Sequence, residues 1–336
     1  MTRNNTLNWG VLGTSFISGI MADAIEKHEG STLYAVAGRS PQGLEAFVSQ
    51  HPSEKQYDHY DALINDPAVD VVYIGLPNHI HHEYVIKAAN AGKAILCEKS
   101  LSVTMADTDA ALAAVDSNGV FFLEGLMYLT HPFASKIAEI VASGALGEVK
   151  SINASYCASI AQFVNPGSKG AIYNLGCYPA SLIHLVMQNA SADGQCPPWK
   201  LTAQGRRNAS DGNIGETAAT LQFANGTLAQ LHCAEDYGMF WAFSVAGTQG
   251  RMDIVSNPWL PEAQGNQIRV LPYEGAGDEQ NYSPEADGDA FHYQVRQVWD
   301  ALKGGQLSLN RPAARPVDSR EIMQLLTEWE SQTVCR

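Results

Sequence analysis

Between residues 8 and 124 the chain repeats one pattern: a short, nearly continuous apolar run, a turn, then a stretch with helical spacing. The apolar runs lie at 8–13, 33–37, 69–76, 94–97 and 120–124, and the helical stretches at 17–27, 41–50, 83–91 and 105–116. A strand without polar alternation is covered on both faces. Helices between such strands supply the crossovers that parallel pairing requires. The expected class is therefore α/β, with a doubly wound parallel sheet over residues 1–122.

The pattern changes after that point. Residues 132–143 have helical spacing and stop at Gly144, and longer runs of period-two character follow at 149–159, 216–223, 227–234 and 240–247. Asn225-Gly226 separates two of these runs, and Asn-Gly suits the tight type I′ turn of a hairpin. Residues 123–336 are expected to form an α+β domain with a large, mostly antiparallel open sheet. The Pro-, Gly-, Asn- and Glu-rich stretch 256–288 reads as a surface excursion, and 289–303 and 319–331 as closing helices.

A chain of 336 residues suits two domains better than one core. A formal net charge of −14 offers no electrostatic footprint for nucleic acid or an anionic membrane. The six cysteines form no C-x-x-C pair, so they are expected as small apolar residues in a reducing compartment. The polar opening does not read as a signal peptide, and no apolar run is long enough to span a bilayer. A cytoplasmic protein is expected. His79-Ile80-His81-His82 has no carboxylate or thiolate partner nearby beyond Glu83, so no metal is expected there.

The turn after the first strand reads Gly13-Thr14-Ser15-Phe16-Ile17-Ser18. A dinucleotide turn of the form G-x-G-x-x-G/A keeps its first glycine here, with Ser15 and Ser18 in the other two places. Such a turn brings a helix N-terminus to a pyrophosphate. The second strand ends in Gly38-Arg39-Ser40. An acidic residue there would favour NAD, whereas Arg39 with Ser40 offers a cation and a hydroxyl to a 2′-phosphate, so NADP is expected. Glu98 and Lys99 close the apolar run 94–97. Charge at the mouth of a buried strand is costly unless it is used.

Taken in order, several segments resemble the Gfo/Idh/MocA oxidoreductases. They are Gly10-Val-Leu-Gly-Thr14, Leu76-Pro-Asn-His-Ile-His-His-Glu83, Ala91-Gly-Lys-Ala-Ile-Leu-Cys-Glu-Lys99, Glu124-Gly-Leu-Met-Tyr128 with His131-Pro132, and Gly170-Ala-Ile-Tyr-Asn-Leu-Gly-Cys-Tyr178-Pro179. The likeness is nearest to the dimeric dihydrodiol dehydrogenases and sugar 1-dehydrogenases, which carry tyrosine at the place of Tyr178. It implies an N-terminal Rossmann domain and a second domain for substrate binding and oligomerisation. It also implies that Leu76, Pro77, Asn78, His81 and Glu98 border the cofactor. Lys99 would be the central catalytic cation and Tyr178 the proton donor or acceptor. Tyr128, Asn174 and His184 are the further substrate-side candidates, with core packing as the equal alternative for His184.

The chemistry of the pair is consistent with these roles. A phenol exchanges protons poorly near neutrality, because its ordinary pKa is about 10. A nearby ammonium favours the phenolate and also bonds a substrate oxygen as charge develops on it. Three departures from the family pattern stand out: Ser100 follows Lys99 where the family has proline, Asn174 stands where it often has aspartate, and Ser168-Lys169-Gly170 replaces a glycine-rich lead. The expected function is NADP-dependent hydride transfer to or from a sugar-like polyhydroxylated compound, in a homodimer or higher homo-oligomer. The alternatives are a dihydrodiol or dicarbonyl oxidoreductase, or a non-catalytic nucleotide-binding regulator on the same fold.

Overall fold

The computed structural model describes residues 6–275 and 277–335. The chain forms two compact units, and neither is a single continuous stretch of sequence. One unit runs to Met127 and takes back Phe291–Arg320; the other holds Tyr128–Ala290 and the chain from Glu321 onward.

The first unit is built on six strands: β1 (Leu7–Leu12), β2 (Ser31–Ala37), β3 (Lys55–Tyr57), β4 (Val71–Ile74), β5 (Ala94–Glu98) and β6 (Phe122–Gly125). They lie in the order β3-β2-β1-β4-β5-β6, and every pair is parallel. Helices α1 (Phe16–Lys27), α2 (Pro41–Gln50), α3 (Tyr60–Ile64), α4 (His81–Asn90) and α5 (Met105–Asn118) make the crossovers. β4 and β5 are buried at every position, as strands covered on both faces must be. Strand order reverses between β1 and β4, which is where an open parallel sheet leaves a crevice at the C-terminal ends of its strands. Helix ends are set locally. The Thr104 hydroxyl accepts from Asp107 N–H to start α5, and left-handed Gly119 ends it.

In the second unit α6 (Pro132–Ala142) leads to β7 (Val149–Ala158). A five-residue π-helical turn, Ile172–Gly176, then runs directly into α7 (Cys177–Ala190). The strands β8 (Trp199–Arg207), β9 (Ile214–Phe223), β10 (Leu228–Ala234), β11 (Met239–Gly247), β12 (Gly250–Ile254), β13 (Ile268–Pro272) and β14 (Gln280–Tyr282) follow. Helices α8 (Ala290–Lys303) and α9 (Pro316–Gln332) precede the last short strand, β15 (Thr333–Cys335). The nine-stranded sheet has the order β14-β13-β12-β11-β7-β10-β9-β8-β15. It is antiparallel except for the β7–β10 and β8–β15 pairs. The expected hairpin at Asn225-Gly226 joins β9 to β10.

One face of this sheet is buried, through Ile152, Ala154, Leu221, Ala229 and Leu231. The other shows Thr202, Gln204, Thr220 and Gln230 to solvent. The stretch 256–288 is more than a surface excursion. It supplies β13 and β14 and buries Trp259 completely. A fully buried large aromatic covers about 150–250 Å², worth about 4–6 kcal/mol at ~25 cal/mol per Å². A glycine- and proline-rich composition therefore hid a core anchor. Trp329 of α9 packs against Gly176 and donates its indole N–H to Thr217 Oγ1 at 3.0 Å, which fixes the π-turn against the sheet. The six cysteines are free, four of them buried. No helix among the described residues is long and apolar enough to cross a membrane.

Candidate active site

The cofactor-side candidates of the first unit all lie at the C-terminal ends of neighbouring strands. Gly13 follows β1 with φ +99°, and a β-carbon there would stand 2.7 Å from the Gly75 carbonyl oxygen just after β4. Only glycine permits both the turn and the approach. Ser15 is the N-cap of α1: its hydroxyl accepts from Ser18 N–H at 3.4 Å and lies 3.1 Å from the Ser18 hydroxyl. Serine in the second glycine place thus has a local reason, since helix caps favour it. Thr14 and Ile17 are half-buried and Phe16 is 85% exposed. The first-turn N–H groups of α1 have no carbonyl within their own helix to donate to.

Beside this turn, Arg39 is exposed at the end of β2. Its guanidinium rests 5.7 Å from the centre of the Tyr60 ring, and among the described residues it has no carboxylate partner. Ser40 is occupied as the cap of α2, accepting from Gly43 N–H at 3.2 Å. After β4 come Leu76, half-buried Pro77 and Asn78. Asn78 is buried, and its Oδ1 has no hydrogen-bond partner. A glycine-shaped approach, a capped helix start, an exposed arginine without a carboxylate partner and an orphaned amide oxygen fit a dinucleotide, which would be held by these groups.

The next strand end carries the charges. Glu98 is 6% exposed; its Oε1 accepts from the Tyr73 hydroxyl at 3.0 Å and its Oε2 from Lys99 N–H at 3.3 Å. Burial raises the Glu98 carboxyl above its ordinary value, while the Lys99 charge and the Tyr73 hydroxyl pull it back. Lys99 is half-buried and the Lys99–Ser100 peptide bond is cis. His81 is wholly buried, with Nε2 2.6 Å from Leu76 O and Nδ1 2.9 Å from Ser100 O. Burial holds it down to about 4, against the pull of both carbonyls. A neutral imidazole has one N–H, so it donates to one carbonyl at a time. Both ring nitrogens of His81 thus face backbone carbonyls, and its one N–H bonds either the turn after β4 or the turn after Lys99.

In the second unit the π-turn places Tyr178 in the first turn of α7, 7% exposed. Three aromatic rings surround it. Tyr156 of β7 meets it edge-on at 5.3 Å, Tyr128 lies at 6.2 Å and Trp259 at 6.3 Å; Tyr156 and Trp259 are 4.9 Å apart. Tyr128 OH and Ser181 Oγ are 2.7 Å apart. The Trp259 indole N–H is buried without a partner. Asn174, within the π-turn, donates its amide to Glu235 Oε2 at 2.8 Å, and Asn208 donates to Glu235 Oε1 at 2.8 Å. The place where aspartate was missing is therefore met by a buried carboxylate from the end of β10. His184 does not join the aromatic group. Its Nε2 pairs with Glu321 Oε2 at 2.6 Å, beside a depression of about 620 Å³ lined by Cys196, Pro198 and Trp199.

Tyr156, Trp259 and Glu235 were not among the sequence candidates. Tyr156 had a signal, since it is in phase with the buried residues of β7. Trp259 had none beyond being a tryptophan among turn formers, and Glu235 meets Asn174 across 61 residues.

A parallel sheet with a nucleotide-type turn, followed by an open sheet that carries a phenol among aromatic rings, defines a two-domain dinucleotide-dependent oxidoreductase. The family model for the oxidoreductase family with an NAD-binding Rossmann fold matches residues 7–126, and the Gfo/Idh/MocA C-terminal domain matches residues 134–253. The chain belongs to the Gfo/Idh/MocA family and is an NAD(P)-dependent oxidoreductase. Among its relatives, trans-1,2-dihydrobenzene-1,2-diol dehydrogenase of Sus scrofa is 28% identical over 312 residues, 89% of each chain. An uncharacterized oxidoreductase of Rhizobium meliloti is 30% identical over 318 residues, 89% of this chain and 90% of the relative. Among solved structures, the 3-ketoreductase KijD10 from Actinomadura kijaniata, in complex with NADP and TDP-benzene, has a TM-score of 0.84 at 23% identity over 98% of each chain. That likeness shows the shared fold.

Proposed function

We propose that this enzyme transfers a hydride between NADP and a carbon bearing oxygen on a sugar or related polyhydroxylated ring, or reduces its carbonyl form. The observation that carries the cofactor choice is Arg39, an exposed cation without a carboxylate partner among the described residues at the end of β2. Its planar donors suit a 2′-phosphate. The relative from Actinomadura was solved with NADP, which supports the same reading.

Bound nicotinamide supplies or accepts the hydride. The Gly13–Ile17 turn would hold the pyrophosphate and Arg39 the 2′-phosphate, and the partnerless Asn78 Oδ1 would be free to accept from the cofactor. Tyr178 exchanges the proton of the substrate oxygen. Lys99, as an ammonium, stabilises negative charge that develops on the reacting group. The rings of Tyr156 and Tyr178 offer apolar walls to a ring substrate, and the orphaned Trp259 N–H, enclosed by protein in the free enzyme, offers a donor to a substrate hydroxyl once binding moves the atoms that cover it. A dihydrodiol or dicarbonyl substrate is the second reading, favoured by those aromatic walls and by the names of the diol dehydrogenase relatives. Membership in an oxidoreductase family leaves the non-catalytic reading without support. The open, polar face of the second sheet, with a shallow depression of about 790 Å³ along Asn153, Thr202, Thr220 and Gln230, supports self-association. Sedimentation of the purified protein tests it.

The deciding experiment titrates NADPH and NADH into wild type and Arg39→Ala by nicotinamide fluorescence, then screens sugars, diols and dicarbonyls with the better cofactor. NADPH preference that disappears in the variant is expected. Equal affinity for both cofactors in wild type would remove the NADP reading. Turnover of diols alone would select the second reading.

A further inference from the structure

The first unit buries a second acid beside Glu98. Glu124 of β6 stands opposite Cys97, and the next residue, Gly125, pairs with Glu98. A β-carbon on Gly125 would lie 2.9 Å from Glu98 Cα and 3.0 Å from Glu98 Oε1, so the strands meet here with no room for a side chain. Glu124 is 1% exposed, and its Oε1 accepts from Leu101 N–H at 3.0 Å, two residues beyond Lys99. Its Oε2 is buried and faces the buried Ser319 hydroxyl, which pulls the carboxyl down without reaching the geometry of a full hydrogen bond. A single donor does not replace the hydration of a buried carboxylate. Glu98, with a hydroxyl and a backbone N–H as donors, is better provided.

We propose that Glu98 and Glu124 carry one negative charge between them, balanced by Lys99, with the proton kept on Glu124, which in that neutral form positions the turn bearing Lys99. Among the described residues, the groups that act most on Glu124 are Glu98 on β5, Lys99 on the turn that follows and the uncharged Ser319 of α9, with Cys97 of β5 paired opposite it. Burial raises the Cys97 thiol far above its ordinary value, so it stays neutral and adds no further negative charge. Tyr73 and His81 stand behind Glu98 and Lys99 respectively. Burial also lifts the Glu124 carboxyl to about 7, against an ordinary 4.5. Folding therefore takes up a proton on this side chain between those two values. The stability it contributes is complete below the unfolded value and is lost as pH rises through about 7. Above that pH a second negative charge appears beside Lys99, in a coupled titration of the pair.

The test measures thermal unfolding of the full-length protein from about pH 5 to about pH 8.5 for wild type, Glu124→Gln and Glu98→Gln. Glutamine is close in shape and uncharged at every pH. Glu124→Gln is expected to flatten the fall in melting temperature through neutrality and to exceed wild type in stability at the alkaline end. In Glu98→Gln, Glu124 alone faces Lys99, so the same fall should move to lower pH. A fall unchanged in both variants overturns the proposal. If Glu124→Gln does not fold, an unmoved fall in Glu98→Gln overturns it alone. The kinetic consequence rests on the reading of Lys99 as catalytic: kcat/KM of wild type should bend near neutrality, and that bend should vanish in Glu124→Gln. A shifted stability curve with an unchanged rate profile would uphold the shared charge and count against the Lys99 reading instead.

Discussion

In the first unit the candidate side chains are ionisable, sit where parallel strands end, and are held by backbone groups. Glu98 accepts from Lys99 N–H, Glu124 from Leu101 N–H, and His81 lies between two carbonyls and donates to one of them. In the second unit they are aromatic and neutral, and are held by packing: Tyr178 among Tyr156, Tyr128 and Trp259 at ring distances of 5.3–6.3 Å. The difference separates two kinds of sensitivity. A group placed by hydrogen bonds in a buried, charged setting changes the electrostatics of its neighbours when altered. A group placed by ring packing changes shape and fit. Substitutions in the first unit should therefore act on rate and on its pH dependence, and those at the rim of the aromatic group on substrate affinity.

The sharpest contrast is Lys99→Ala. Removing an ammonium aimed at a developing negative charge costs about 10²–10³-fold in kcat. NADPH affinity should stay within about threefold of wild type, since Arg39 and the Gly13 turn hold the cofactor. Full activity in a single-turnover assay would dismiss Lys99 as the catalytic cation. Next comes Tyr178→Phe, which keeps the ring and removes the hydroxyl. A loss of about 10²-fold is expected, the low end for general acid–base catalysis, with little change in melting temperature. Groups that act as one unit are not additive. The double variant should therefore be little worse than Lys99→Ala, and a multiplicative loss would show independent roles.

The same contrast explains what could be read in the chain. Apolar runs between helical stretches revealed the parallel sheet, because burial on both faces leaves a local signature at 69–76 and 94–97. The strand-end candidates Gly13, Arg39, Asn78 and Lys99 were legible for the same reason: each follows such a run. The short strand β3, with no buried position, left no such trace. β8 alternates buried and exposed over Leu201–Gln204, yet was passed over. The return of residues 291–320 to the first unit depends on contacts such as Phe122 N–H donating to Leu307 O at 3.1 Å, across 185 residues of chain. No local period encodes that. Tyr178 was legible through its motif, whereas Trp259 and Glu235 belong to the site only through the tertiary fold.

Smaller effects refine the comparison. Arg39→Ala acts at an exposed point of the first unit, where solvent screens the lost charge. About a tenfold weakening of NADPH is expected, less than a fully buried charged hydrogen bond would give, with NADH unchanged. Raising the ionic strength should narrow the gap between wild type and variant, because a screened contact contributes less. A variant that loses NADH equally would show that Arg39 supports the turn instead of reading the phosphate.

The smallest effect tests the aromatic side. Trp259 is fully buried and its indole N–H has no partner in the protein. A neutral hydrogen bond contributes about 0.5–1.5 kcal/mol net, which corresponds to about two- to twelvefold in affinity. Trp259→Phe keeps an aromatic wall beside Tyr156 and Tyr178 and removes only the donor and part of the ring. KM for a hydroxylated ring substrate should therefore rise by a few-fold, while kcat at saturation and the shape of its pH profile stay as in wild type. The same variant should discriminate less against an analogue that lacks one hydroxyl, because the donor that went unpaired with it is gone. A bend in the pH profile that moves in Trp259→Phe would break the contrast, since it would give the packed aromatic group an electrostatic hold on the chemistry. An unchanged KM across every hydroxylated ring tested would mean that the indole N–H serves the protein's own packing and reads no substrate oxygen.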